Sequence, residues 1–103
     1  EQCNAIIETA TNTLIRGCQN TIIPNSVTSI GEYAFDGCSS LTSIVIPDGV
    51  TSIGKRTFFD CSSLTSITFN GTIEQWKKII LHEDWNDEVP INVIHCTDGE
   101  VEI

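Results

Sequence analysis

Residues 24–46 read PNSVTSIGEYAFDGCSSLTSIVI, and residues 47–69 read PDGVTSIGKRTFFDCSSLTSITF. The two stretches are identical at fourteen of twenty-three positions, without a gap. Self-similarity at a fixed period of this length is the mark of a repeat architecture. The sequence therefore predicts a repeat of 23 residues. Residues 18–24 align with 41–47, which adds one more strand before the first full repeat.

Each repeat ends in the pattern LxxIxI, which occupies residues 41–46 in the first copy. In an extended segment Ile44 and Ile46 share one face, while the residues between them point to the other. Pro47 ends the strand because it cannot donate a ladder hydrogen bond. The pattern predicts a short strand in each repeat, with one buried face and one solvated face.

The stretch between these strands has two further parts. Val50 and Ile53 anchor a second short extended piece, and Gly54 is expected to allow a sharp change of direction. Residues 55–61 are too few for a full helix and are interpreted as one or two helical turns, with Phe58 on the buried side. Stacking many such units would place equivalent side chains in columns and build one continuous core, which a single unit cannot do.

The run LTSIVIPDGVTSIGKRTFFDCSS, residues 41–63, resembles the repeat of BspA-like leucine-rich proteins. These are surface proteins of gut and oral bacteria and of some parasitic protozoa. Residues 3–18, CNAIIETATNTLIRGC, are similar to the segment that often precedes such repeats, and GTIEQW and HCTDG in the tail resemble the end-cap that often follows them. The resemblance implies an exported or surface-attached bacterial or protozoan protein used in adhesion or host contact.

The fold class that we expect is therefore a leucine-rich-repeat solenoid, mostly β with short helical turns. Its stack of parallel strands should be capped by an N-terminal β-hairpin and by a C-terminal helix plus hairpin, because the ends of a solenoid expose raw core and unpaired edges. As one repeat domain, the chain divides into an N-terminal cap at 1–19, about two and a half repeats at 20–69 and a C-terminal cap at 70–103. Residues related by a shift of 23 should lie directly above one another.

The cap predictions come from local patterns. Residues 3–8 and 13–18 are apolar runs around Thr-Ala-Thr-Asn, which predicts the first hairpin. Residues 72–81 carry Ile73, Trp76, Ile79 and Ile80 at helical spacing, and Thr72 is a suitable N-cap. We expect Ile73, Trp76 and Ile80 to share the helix face that covers the core, and the turn at 97–99 to join a second hairpin.

Composition limits the partners. The chain has five Lys and Arg against fourteen Asp and Glu, which gives a net charge of −9. So few cations cannot neutralise a phosphate backbone or bind an anionic membrane by charge, so neither nucleic acid nor membrane is an expected partner. No run approaches the length of a membrane span. A protein partner is compatible with this composition, and the oligomeric state is left open.

Five cysteines and two histidines are the candidates for chemistry. Cys38 and Cys61, one period apart, are expected in one core column with parallel side chains rather than in a disulfide. Cys3 would face Cys18 if the first hairpin turns at residues 10–11, and a disulfide there remains open. Cys96 is expected to be free.

The remaining polar residues suggest no reactive site. His95 and Cys96 are neighbours that point to opposite faces of a strand, so they cannot form a dyad. His82, His95 and Cys96 lack zinc-ligand spacing, and the acidic residues at 83–88 do not match a calcium loop. Asn70-Gly71-Thr72 fits both a glycosylation sequon and an Asn-Gly turn, of which the turn has the stronger physical basis. We expect no enzyme activity, no metal and no cofactor.

The outward face of the LxxIxI strands, the concave face of such a solenoid, is the candidate binding surface. It comprises Gln19, Asn20, Ile22, Thr42, Ser43, Val45, Thr65, Ser66 and Thr68. The face is rich in small hydroxyls and has no Trp, Tyr or Arg of the kind that dominates protein hot spots. Two functions follow from different views of this face: a surface-exposed or secreted module for protein binding or adhesion, or a structural spacer or cap with no ligand of its own. An enzyme or enzyme inhibitor is a third and weaker candidate.

Overall fold

Nine short strands and one short helix form the regular secondary structure of the described residues, 6–17, 22–87 and 89–103, in a computed structural model of the protein. The strands are β1 Ile6–Glu8, β2 Thr13–Arg16, β3 Ser29–Ile30, β4 Ser43–Ile46, β5 Ser52–Ile53, β6 Ser66–Phe69, β7 Ile80–Leu81, β8 Val93–Cys96 and β9 Gly99–Glu102. The helix, α1, spans Ile73–Lys77 between β6 and β7.

The strands form two sheets that run along the repeat direction. One sheet has the order β1-β2-β3-β5-β7, and the other has the order β4-β6-β8-β9. Both are parallel in their interior, from β2 to β7 in the first sheet and from β4 to β8 in the second. Among the described strands the antiparallel pairs are β1 with β2, at the start of the five-stranded sheet, and β8 with β9, at the end of the four-stranded sheet. Each repeat thus gives one strand to each sheet, as a repeat fold requires.

The register confirms the period of 23. Ser29 lies opposite Ser52 in the first sheet, and Ile44 lies opposite Ile67 in the second. The rings of Phe35 and Phe58 are stacked, with centroids 5.4 Å apart. Equivalent residues therefore lie directly above one another, in agreement with the prediction from the sequence.

The core lies between the two sheets and follows the predicted alternation. In β4 the two isoleucines are buried, whereas Ser43 and Val45 are exposed. Aromatic side chains fill the region where the repeats end: Phe58 packs against Trp85, Trp85 against Trp76, and Trp76 against Phe69, with ring centroids 5.6–6.3 Å apart. Trp76 and Trp85 thus cover the core at this end, and for Trp76 this is the position that the sequence predicted.

The predicted helical turns are wrong. Residues 32–37 and 55–60 are successive tight turns, and the backbone reaches the left-handed region at Tyr33, with φ 57°, and at Arg56, with φ 50°. A left-handed residue breaks a right-handed helical run. Some amides bond across the repeats, as when Phe35 N–H donates to Thr57 O at 2.8 Å, and others close local turns, as when Asp36 N–H donates to Tyr33 O at 3.1 Å. The segment is as short as predicted, but its amides are divided between local turns and the next repeat.

Gly54 is required for a reason that the sequence did not reveal. The chain leaves β5 here and enters the turn at 55–60, but Gly54 does not adopt a positive φ, so the turn does not depend on the left-handed backbone that glycine allows. A Cβ at Gly54 would lie 2.6 Å from the backbone nitrogen of Glu32 and 2.7 Å from the carbonyl carbon of Gly31. Glycine is therefore needed because the backbones of successive repeats approach closely at this position.

The C-terminal segment departs from its predicted form. Helix α1 ends at Lys77 and not at residue 81, because Ile80 and Leu81 leave the helix to pair with β5. Ile80 is 61% exposed, so it does not share a buried helix face with Trp76, and Ile73 is only half-buried. The expected hairpin is present as β8 and β9.

Residues 80–87 repeat the backbone of the two turn segments without repeating their sequence. His82 N–H donates to Ile53 O at 3.0 Å, as Gly54 N–H donates to Ile30 O at 2.8 Å. Asp84 has φ 55°, in the position equivalent to Arg56. The acidic stretch at 83–87 is therefore a further turn of the same kind, and Trp85 packs on Phe58 from it.

Candidate binding face

The candidate surface is the outer side of the four-stranded sheet, hereafter the outer sheet face. Its predicted members in β4, β6 and the residues just before them are exposed or half-exposed: Thr42, Ser43, Val45, Thr65, Ser66 and Thr68. Ile22, which precedes this sheet in the chain, is 88% exposed. Gln19 and Asn20 lie outside the described residues. The inward and outward directions were thus predicted correctly for the residues that can be compared.

The structure extends this face by two strands. Val45 lies opposite Thr68, Thr68 opposite His95, and His95 opposite Glu100. A second row of side chains runs beside the first. It begins with Ser43 opposite Ser66 and continues in the hairpin with Val93 opposite Glu102. The C-terminal hairpin is therefore part of the face and not only a cover for the end of the core.

Sequence reasoning missed the four residues of the hairpin on this face: Val93, His95, Glu100 and Glu102. The alternation in 93–96 was visible, but nothing local indicates that β8 would pair in parallel with β6. The spacing between Ile67 and Ile94 is 27 residues, because helix α1 and the turn at 82–87 lie between them. The interruption hides the repeat from a search at period 23.

The polar groups of the face are held in place by the backbone and by each other. Thr65 N–H donates to Thr42 O at 2.9 Å, and the Thr65 hydroxyl lies 3.3 Å from the same oxygen. At the far side, His95 Nδ1 and Glu100 Oε2 are 3.0 Å apart. Hydroxyls, one imidazole and carboxylates in such an arrangement can form hydrogen bonds and ion pairs with a partner. They do not form a nucleophile with an adjacent base.

A groove of about 320 Å³ borders the face along β4. Its wall mixes aliphatic and polar side chains: Ile22, Ile23, Asn25, Ser43, Ile44, Val45, Pro47 and Asn70. The groove therefore adds an apolar margin to a surface that is otherwise made of hydroxyls.

The three thiols that lie in the described part of the chain have no activating environment. Cys38 and Cys61 are buried and free, and burial raises the pKa of Cys61 to about 12, with a smaller effect from the nearby Cys38. Burial also raises the pKa of Cys38 and, with a contribution from Asp98, the pKa of Cys96. A thiolate is the nucleophilic form of cysteine, so these environments disfavour reaction. Cys96 is free as expected, while the proposed pair Cys3 and Cys18 lies outside the described residues.

His95 and Cys96 lie on opposite sides of β8, as predicted. His95 faces Glu100 on the outer sheet face, whereas Cys96 packs against the core. Within residues 6–17, 22–87 and 89–103, no group of three His, Cys, Asp or Glu side chains is placed to hold a metal ion. The same residues contain no helix with the length and apolar character to cross a bilayer.

Comparison with protein families accounts for most of the chain. A family model described as a BspA type leucine rich repeat region matches residues 8–85. The match ends at Trp85, whose carbonyl still accepts a cross-repeat hydrogen bond from Phe58 N–H at 3.3 Å. Comparison with curated proteins and with solved structures gives no match. On its repeat, its register and this family match, the chain belongs to the BspA-type leucine-rich repeat family.

Proposed function

We propose that this chain is a non-enzymatic leucine-rich-repeat solenoid that binds a protein partner through its outer sheet face, as an exported or cell-surface adhesion module. In the proposed organisation, residues 20–69 are the repeats and residues 1–19 and 70–103 are the caps. The family is the basis for the cell-surface setting. The choice of face depends on one observation, the four-strand row Val45, Thr68, His95 and Glu100.

The row supports binding because it is wider than the repeats alone provide. Four strands spaced about 4.8 Å apart make a face on the order of 15 Å across. Strands β8 and β9 also add polar groups other than hydroxyls to the face, namely the imidazole of His95 and the carboxylates of Glu100 and Glu102. In a chain of net charge −9, such a face favours a partner with basic groups, because complementary charge increases the association rate and selects the orientation.

The chemistry of the described side chains supports a non-enzymatic role. The three thiols with assigned environments have raised pKa values, and His95 is directed toward Glu100 on an open surface and not toward a nucleophile. A catalytic base needs a reacting group within hydrogen-bond reach. Recognition is the role that fits these groups.

A structural spacer or cap unit with no ligand is the second candidate. This candidate is favoured by the small side chains of the outer sheet face. Ser43 and Ser66, which lie opposite each other, supply little apolar area and no aromatic anchor for a partner. A spacer would require only folding and stacking from this chain, so changes on its outer sheet face would have no functional effect.

The test is a binding assay with a double variant of the face. Ser66→Arg with Thr68→Arg places two bulky cations in the centre of the outer sheet face, and Ser40→Arg places one on an exposed turn elsewhere. Purified protein would be applied to cultured epithelial cells and to a panel of immobilised extracellular host proteins. We expect the double variant to bind at least about tenfold more weakly than the parent, a change of about 1.4 kcal/mol, and the control to bind normally.

Two results would contradict the proposal. Equal binding by the double variant and the parent would remove the outer sheet face from the interaction. Absence of binding by the parent to every cell and protein in the panel, with a cooperative melt that shows it to be folded, would favour the spacer.

A further inference from the structure

The two sheets end differently at the C-terminal side of the described chain. The last strand of the five-stranded sheet is β7, and the last strand of the four-stranded sheet is β9. Strand β9 presents Glu100 and Glu102 beside its outer edge, both exposed. Charged residues on an edge strand prevent pairing with another chain. Strand β7 consists of Ile80 and Leu81, which are 61% and 37% exposed, and so lacks this protection.

The backbone of β7 leaves one peptide group directed away from the sheet. Ile80 N–H donates to Thr51 O at 2.9 Å, and His82 N–H donates to Ile53 O at 3.0 Å. Because successive residues of a strand direct their amides to opposite edges, the N–H and C=O of Leu81 lie on the outer edge. An edge of this kind is a template for a further strand.

An apolar groove of about 380 Å³ lies beside this edge. Its lining combines six apolar or aromatic side chains with three polar ones: Trp76, Ile79, Leu81, Trp85, Val101 and Ile103, with Lys77, Asn86 and Glu102. Ile103 is 40% exposed, whereas the two tryptophans are almost fully buried. The groove and the edge together form one surface, the β7 edge surface, with the apolar and aromatic character of a protein contact.

The charges around β7 identify what this surface fits. Lys77 and Lys78 precede the strand, and Glu83 and Asp84 follow it; Asp84 also lies 3.5 Å from the Arg56 guanidinium of its own chain. When a strand pairs antiparallel with a copy of itself, residues before the strand in one copy meet residues after the strand in the other. With the axis at Leu81, Lys78 of one copy would lie opposite Asp84 of the other and next to its Glu83, and the two-fold symmetry would repeat this opposite-charge contact twice per dimer.

We propose that the β7 edge surface is a self-association site, at which two copies of this chain pair antiparallel through β7 about a two-fold axis at Leu81. The Leu81 peptide groups of the two copies would exchange hydrogen bonds, and Ile80, Leu81 and Ile103 would be covered. Opposite charges flank the contact on both sides. The net charge of −9 opposes association, but two of the five cations lie at this contact, where they offset the repulsion.

The oligomeric state of the whole chain tests this directly. Sedimentation velocity would be measured across total concentrations from about 1 µM to about 1 mM, which covers weak to moderate affinities. We expect a monomer–dimer equilibrium. Leu81→Lys should raise the dissociation constant by at least about tenfold, because it puts a charge on the two-fold axis against its own copy. Val45→Lys, a matched change of an exposed aliphatic on the outer sheet face, should leave the equilibrium unchanged.

A charge-reversal pair tests the two-fold geometry. Lys78→Glu and Glu83→Lys should each dimerise poorly alone, since each puts like charges together twice. An equimolar mixture of the two variants should dimerise about as well as the parent, because the heterodimer regains both opposite-charge contacts. Cooperative melts of each variant would show that it is folded.

Three outcomes would overturn the inference. The first is a parent that stays monomeric at the highest concentration. The second is dimerisation that Val45→Lys weakens and Leu81→Lys does not. The third is a mixture of Lys78→Glu and Glu83→Lys that fails to form heterodimers, as expected if copies associate head to tail through β1 or another surface.

Discussion

The two core cysteines occupy equivalent positions and make equivalent contacts with the chain before them. Cys61 Sγ lies 3.1 Å from Phe35 O, and Cys38 Sγ lies 3.6 Å from Gly17 O. The thiol is small enough for a column beside the phenylalanines and can donate weakly to a carbonyl that points into the core. A buried thiol that donates a hydrogen bond must keep its proton, and this agrees with the raised pKa of Cys61.

This raised pKa predicts a loss of stability at high pH. In the unfolded chain Cys61 ionises near its ordinary value of 9.0, whereas in the folded chain its pKa is about 12. Between these values the folded state binds more protons than the unfolded state, so the free energy of unfolding falls as pH rises, by at most about 1.4 kcal/mol per pH unit. Below pH 9 the contribution is fully present. Urea unfolding at intervals from pH 8 to pH 11 measures the slope.

Cys61→Ala is the control for this slope. The variant starts from a lower stability because the cavity is unfilled, but its stability should fall less steeply with pH than that of the parent. Equal slopes in the two proteins would mean that other groups account for the alkaline loss, such as Cys38 and Cys96, whose pKa values are also raised.

At the residue scale, the inward and outward positions were predictable because alternation in a strand is a property of adjacent residues. The left-handed backbone at Tyr33 and Arg56 was not, since neither is glycine or asparagine. Nor was the reason for Gly54, which depends on the backbone of another repeat. On the candidate face, Thr68 and Val45 could be assigned from alternation, while His95 and Glu100 needed the pairing of β8 with β6.

Among the elements, α1 depends most on its surroundings. A five-residue helix is not stable alone in water. Thr72 is its N-cap, as predicted: the Thr72 hydroxyl accepts from Gln75 N–H at 3.1 Å, and Gln75 Oε1 accepts from Thr72 N–H at 2.8 Å. The hairpin supplies a further acceptor, because Asp98 Oδ1 accepts from Ile73 N–H at 2.9 Å. Helix and hairpin therefore stabilise each other.

Asp98→Ala should uncouple the helix from the hairpin. It removes the acceptor of a free N–H in the first turn of α1, and such losses cost about 1 kcal/mol. Asp98→Asn keeps an oxygen in place and should cost less, while Asp48→Ala, at an exposed carboxylate in another turn, should have almost no effect. Urea denaturation followed by tryptophan fluorescence reports both stability and the environment of Trp76. A loss for Asp48→Ala as large as that for Asp98→Ala would contradict the assignment.

At the element scale, the hairpins and the N-cap were predictable from local sequence, because turns and caps involve residues close in the chain. The end of α1 was not. Ile80 continues the helical spacing of Trp76, yet pairing with β5 takes it into a strand. Here a long-range ladder prevails over a local periodicity, and the ladder leaves Ile80 exposed at the β7 edge surface.

Over the whole molecule, the C-terminal third continues both sheets. Strand β7 extends the first sheet and β8 extends the second, while Trp85 and Trp76 continue the aromatic packing that begins with Phe35 and Phe58. The segment after residue 70 is thus built like the repeats in its backbone and unlike them in sequence. Removing it would expose the edges of β5 and β6 as well as one side of the core.

A chain ending at Asn70 should therefore not remain a soluble, folded monomer. It lacks β7 and β8, and it leaves Phe58 and Phe69 without the two tryptophans that pack on them. An exposed parallel edge next to apolar core favours aggregation, since both unpaired backbone groups and hydrophobic side chains are presented together. Size-exclusion chromatography with light scattering, and a urea melt, would compare it with the whole chain.

Trp76→Ala with Trp85→Ala in the whole chain is the matched control: it removes the aromatic cover and keeps β7 and β8, so it should be destabilised but remain soluble. A truncated chain that is monomeric and melts cooperatively would show that the repeats fold without the cap. Trp76 and Trp85 would then be candidates for binding rather than for stability.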